Sequence, residues 1–143
     1  MKFVIVTGMS GAGRSTAMKM MEDIGYFCID NLPIQLLDKL IDFSNSFHSD
    51  ITKVAVGIDV RNGSGFEDIP NTLKALKAKK FPYEILFLDA EDEVLVKRYK
   101  ETRRSHPLAG AERINTGIAL ERKKMEFLKS NADYIIDTSQ LLT

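Results

Sequence analysis

Apolar residues in this chain fall into short runs separated by stretches with helical spacing. Phe3–Val6, Tyr26–Asp30, Val54–Asp59, Glu84–Asp89 and Asp133–Thr138 are bounded, mostly apolar runs of strand length. Between them, apolar residues recur three and four apart. Ala17, Met20, Met21 and Ile24 predict one helical face; Leu37, Leu40 and Ile41, extended by Phe47, predict a second; Ile69, Leu73 and Leu76 predict a third. A fourth helix is expected over Glu91–Thr102, with acids in its first turn. A fifth is expected from about Ala111 to Lys129, with Ile114, Ile118, Met125 and Leu128 on one side. Gly25 closes the first helix, Pro33 suits the opening turn of the second, with Asp30 or Asn31 as its cap, and Phe81-Pro82 stops the third.

Strands alternating with helices predict βαβ units and a parallel sheet with helices on both faces. The nearly unbroken apolar run Val54–Ile58 fits a strand covered on both sides. Ligands of such sheets bind beyond the carboxyl ends of the strands. The connection after the first strand, with Asp30, Asp59, Asp89 and Asp137, is expected to converge there.

With 143 residues, the chain suits one domain, and neither an internal repeat nor a low-complexity linker divides it. Lys plus Arg and Asp plus Glu number 20 each, so no global field draws the chain to nucleic acid or membrane. No apolar run approaches the ~20 residues of a membrane span, and no signal peptide opens the chain. A single cysteine, Cys28, excludes an internal disulfide, fits a reducing cytoplasm, and reads as a small buried side chain.

The chemistry sits in Gly8-Met9-Ser10-Gly11-Ala12-Gly13-Arg14-Ser15-Thr16, between the first strand and the first helix. It fits G-x-x-x-x-G-K-[ST] at every fixed position except one, where Arg14 replaces lysine. Glycines let the backbone approach an anion closely, successive N–H groups form a nest, and the helix adds its positive end. Ser15 supplies a hydroxyl for Mg²⁺ riding on the phosphates, and Arg14 a cation to neutralise them. Asp59 is the leading acidic partner for the metal, with Asp89 and Asp30 as rivals and helix capping the preferred role of Asp30. Lys97–Arg104 concentrates positive charge. Lys97 and Lys100 suit a solvated helix face, whereas Arg103 and Arg104, before a proline break, suit equally a lid reaching nucleotide phosphates. His48 lies in a polar turn with no visible partner, His106 beside Pro107 suits a structural role better than titration near neutrality, and no cysteine–histidine cluster has metal-ligand spacing.

Gly8–Ser15, Cys28-Ile29-Asp30-Asn31-Leu32-Pro33, Val56–Arg61, Phe87–Ala90 and Arg98–Leu108, in that order, make the whole chain resemble the RapZ/YvcJ family of P-loop nucleotide-binding proteins, the bacterial RNase adapter proteins. The resemblance implies a cytoplasmic, nucleotide-kinase-like P-loop NTPase fold that binds and slowly hydrolyses ATP or GTP with Mg²⁺. Family members are about twice this length, so the chain would correspond to their N-terminal half. RNA binding and control of small-RNA turnover would belong to the C-terminal half. The partners expected are therefore a nucleoside triphosphate, RNA only through that other half, no membrane, and further copies of the full-length protein. Arg14 departs from the family lysine; phosphate binding tolerates the change better than hydrolysis, and restoring lysine is expected to speed hydrolysis. Two other readings use the same parts: a small-molecule or nucleotide kinase with a basic lid, and a non-catalytic anion-binding interaction module.

Overall fold

The computed structural model describes residues 2–9, 11–32, 36–46, 53–58, 69–79, 81–102 and 114–139. Five strands, β1 (Lys2–Gly8), β2 (Phe27–Ile29), β3 (Lys53–Gly57), β4 (Glu84–Asp89) and β5 (Tyr134–Asp137), form one parallel sheet in the order β2-β3-β1-β4-β5. They alternate with α1 (Arg14–Asp23), α2 (Leu37–Ser46), α3 (Ile69–Ala78), α4 (Asp92–Thr102) and α5 (Ile114–Ser130), the last two following one another.

β1 is central. It pairs with β3 on one side, Val4 opposite Ala55, and with β4 on the other, Val6 opposite Leu86. Successive residues Phe3 to Gly8 are all buried, so both faces of this strand are covered. The chain leaves β1 where neighbouring connections diverge to opposite sides, the position at which such sheets hold ligands. The side chains of Phe3, Ile5, Ile85, Phe87, Leu37, Ile41, Leu76 and Leu95 fill the core. Phe81 sets its ring edge-on to Phe3, with centroids 5.4 Å apart. Its N–H donates back to Leu76 O at 3.1 Å, closing α3 where Phe81-Pro82 predicts a stop.

Two expectations are corrected. In α1 the buried residue is Met18, with Ala17 and Met21 half-buried; Met20 and Ile24 are each 64% exposed. The predicted face was rotated: helical spacing holds for both residue sets, and only the sheet selects the one it covers. Asp30 and Asn31 do not cap α2, which begins at Leu37, six residues beyond Asn31. The expected fifth strand is present as β5 at the sheet edge, where Tyr134, Ile135 and Ile136 are exposed. It is held at its start by Asp133, whose N–H donates to Ile85 O (2.9 Å) while its Oδ2 accepts the Ile85 N–H (2.8 Å). Pro33 and Phe47 lie outside the described residues.

Gly8 fixes the exit from β1. Its φ is 148°, and a Cβ there would overlap the backbone of Leu88, carbonyl oxygen first. The obstacle is main chain and cannot turn aside. Gly8→Ala should therefore lower unfolding free energy by at least about 2 kcal/mol. Urea denaturation followed by far-ultraviolet circular dichroism measures this; an unchanged midpoint contradicts the packing described.

Candidate phosphate-binding site

Beyond Gly8 the chain is held by its backbone. Met9 N–H donates to Leu88 O at 2.9 Å and Ala12 N–H to Met9 O at 3.0 Å, folding the loop over the sheet edge. The Met9 and Ala12 side chains are buried and anchor it from below. Gly13 then caps α1 in a left-handed conformation (φ 100°) with no side-chain cap hydrogen bond. The helix thus presents its amino end without the Ser, Thr, Asp or Asn oxygen that usually occupies it. An amino end uncapped in this way carries partial positive charge toward whatever anion approaches. Ser15 and Thr16 are exposed on its first turn.

Arg14, the first helical residue, crosses toward the far side of the sheet. Its Nη2 donates to Asn31 Oδ1 at 2.9 Å, and its Nε lies 3.5 Å from Asp30 Oδ1. Asp30 follows β2 and is therefore an ion-pair partner of the loop arginine rather than a helix cap.

The opposite flank is held by Arg98, Thr138 and Ser139, whose role no local pattern marks. Arg98 in α4 donates from Nη1 to Gly11 O (2.8 Å) and to Thr138 Oγ1 (3.1 Å), and from Nη2 to Thr138 O (2.6 Å). Thr138, just past β5, donates its hydroxyl to Ala12 O at 2.8 Å, and its N–H donates to Asp89 O at 2.8 Å. Ser139 Oγ accepts the Glu91 N–H at 2.8 Å. The loop is thus clamped to the ends of β4 and β5. In the sequence Arg98 stands in a basic run and opens the Arg98–Leu108 motif, and neither distinguishes a loop clamp from a solvated helix face.

Asp89 is corrected as a metal candidate. Its Oδ1 accepts from Arg122 Nη1 (2.9 Å) and from Ala90 N–H (2.8 Å), and its Oδ2 from Lys129 Nζ (2.8 Å). Burial acts to raise its pKa, but the hydrogen bonds from Lys129, Arg122 and Ala90 outweigh it and hold the carboxyl below the ordinary aspartate range. Arg122 also pairs with Asp92 at 2.5 Å. Asp137 ends β5 on the same edge, and hydrogen bonds from Ser139 lower its pKa. Cys28 is half-buried, and burial, followed by the charges of Glu22 and Asp30, pushes its thiol up, as suits an unreactive side chain. Among the described residues, no group of three His, Cys, Asp or Glu side chains could hold a metal, and no helix is long and apolar enough to cross a membrane. Ser10, Asp59, Arg103, Arg104, His48 and His106 lie outside the described residues.

Comparison with known proteins places the chain in a family and a fold. The model of the RapZ-like N-terminal domain matches residues 1–143. A nucleotide-binding protein of Agathobacter rectalis is 83% identical over 143 residues, covering 100% of this chain and 49% of that protein. One from Lachnoclostridium phytofermentans is 57% identical over 142 residues, covering 99% and 50%. The chain spans about half the length of the curated relatives it matches. Shikimate kinase from Bacteroides thetaiotaomicron superposes with a TM-score of 0.62 over 99% of this chain and 89% of that one. At 15% identity this is a likeness of fold, and the fold is the kinase-like P-loop α/β type.

The Asp89 pairs have a pH signature. The carboxyl's pKa is lower folded than unfolded, so its contribution is fully present above the unfolded value and is lost as pH falls toward the folded one. Asp89→Asn should cost about 2 kcal/mol at pH 7, the scale of charge-assisted hydrogen bonds. Urea titrations across the acid range should show the gap from wild type closing below the ordinary aspartate pKa; a gap independent of pH contradicts the assignment.

Proposed function

The chain belongs to the RapZ-like N-terminal domain family, and on that premise we propose that it is a regulatory domain that binds ATP or GTP and hydrolyses it slowly. The observation that carries the reading is the uncapped amino end of α1, reached through Gly8–Gly13 and bearing Arg14 and Ser15 on its first turn. Backbone N–H groups and the helix dipole there favour phosphate oxygens, and Arg14 adds a full positive charge. The name "nucleotide-binding protein" carried by the Agathobacter and Lachnoclostridium relatives supports the same ligand.

Ser15 fits Mg²⁺ as an exposed hydroxyl beside the loop, since this ion takes few protein ligands when phosphates and water complete its shell. With Asp59 as its acidic partner, the ion would neutralise charge on the phosphates. Arg103 and Arg104 are proposed to reach those phosphates from the segment after α4. Hydrolysis is expected to be slow because the forked guanidinium of Arg14 replaces a compact ammonium. Modulation of small-RNA turnover belongs, on this reading, to the remainder of the full-length protein and not to these residues. The kinase reading shares the loop, the acidic strand ends and the basic segment, and the likeness to shikimate kinase that it adds is one of fold.

Calorimetric titration tests the proposal. Mg-ATP or Mg-GTP should bind with a dissociation constant below about 1 mM, and Ser15→Ala should weaken the Mg²⁺ complex by about tenfold. No heat with either nucleotide at millimolar concentration would refute it.

A further inference from the structure

The first residue of α1 is tied to a turn on the other side of β3. Nε and Nη2, the atoms by which Arg14 meets Asp30 and Asn31, form one edge of the guanidinium fork, with Nη1 on the other side. The turn is itself closely seated. A Cβ on Gly57 would overlap Asp30 Oδ1, so the carboxylate lies against the last residue of β3 in space that only glycine leaves. Asp30 Oδ1 also accepts the Asn31 N–H at 2.8 Å, and the Leu32 N–H donates to Gly57 O at 3.1 Å. Asn31 has φ 55°, a left-handed conformation that asparagine adopts more readily than most residues.

Resting on the reading that the loop binds nucleotide phosphate, we propose that Arg14 is a two-edged link between that phosphate and the Asp30–Leu32 turn. The guanidinium keeps Asp30 and Asn31 on its Nε–Nη2 edge, and the protein atoms that enclose Nη1 give way so that this atom meets the phosphate. Asp30 and Asn31 are then positioning residues for Arg14, and the turn tightens when nucleotide is bound. Two physical points support this. A phosphate and the Asp30 carboxylate would repel each other across the site, and a planar cation with two separated edges lies between them and satisfies both, whereas lysine gathers its three donors on one compact ammonium. An arginine already oriented by phosphate also has less freedom to lose in holding the turn, so each contact strengthens the other. The substitution at position 14 thereby acquires a use: it couples the loop to the connection after β2.

The Leu32 amide reports on the turn. Its hydrogen exchange is followed by NMR on the 143-residue chain, with ATP binding verified by calorimetry on each protein. Saturating Mg-ATP should slow Leu32 exchange by about fivefold or more in the wild type. Asn31→Gly removes the side-chain acceptor and keeps the positive φ without strain; at saturating ATP its slowing should fall below about twofold. Arg14→Lys, saturated likewise, should also lose the effect. Bound ATP that leaves wild-type Leu32 exchange unchanged, or slows it equally in Asn31→Gly, overturns the link while leaving nucleotide binding intact. No ATP binding by the wild type overturns the binding reading, and the link with it.

Discussion

The site depends on one steric fact: main chain of β4 occupies the space that a side chain would need at Gly8. β1 can therefore end hard against β4, and the next residue, Met9, donates its N–H to Leu88 O. That approach sets where the loop begins, how it lies over the sheet edge, and where α1 points its amino end. Everything around the loop then braces it from two sides. Arg98 and Thr138 hold its carbonyls from the β4–β5 side, and Arg14 reaches from its far end to the turn after β2.

The two arginines divide the work by what they touch. Arg98 spends its donors on carbonyl oxygens of Gly11 and Thr138, and so supports the shape of the loop. Arg14 faces a carboxylate and an amide oxygen, groups that share the preference of a phosphate oxygen for a cation. A chain with equal numbers of acidic and basic residues can thus build a locally cationic site without a global field. Asp89, which a motif search would offer to a metal, instead anchors α5 to the end of β4 through Arg122 and Lys129.

Much of the fold was legible because its signals are local. Apolar runs marked five strands, and the spacing of Ile69, Leu73 and Leu76 marked a buried helical face that the structure has. The loop was legible for the same reason: its glycines, arginine and serine all fall within Gly8–Ser15. Pairings across the fold were not. Asp89 meets partners 33 and 40 residues away, and Arg98 meets Gly11 across 87, distances over which sequence spacing carries no information. The buried face of α1 is not encoded in helical spacing, because methionines point both ways around it and only the sheet decides that Met18 is covered and Met20 is not. Asp30 was read through its nearest downstream helix, whereas its partner is 16 residues upstream, at Arg14.

The most direct test of this account is a crystal structure of the chain with Mg²⁺ and a non-hydrolysable triphosphate analogue. The account predicts phosphate oxygens within hydrogen-bonding distance of the Gly11–Ser15 backbone N–H groups and of Arg14, with the Arg14 guanidinium still on Asn31. A nucleotide bound elsewhere on the molecule, with the amino end of α1 facing solvent, would contradict it.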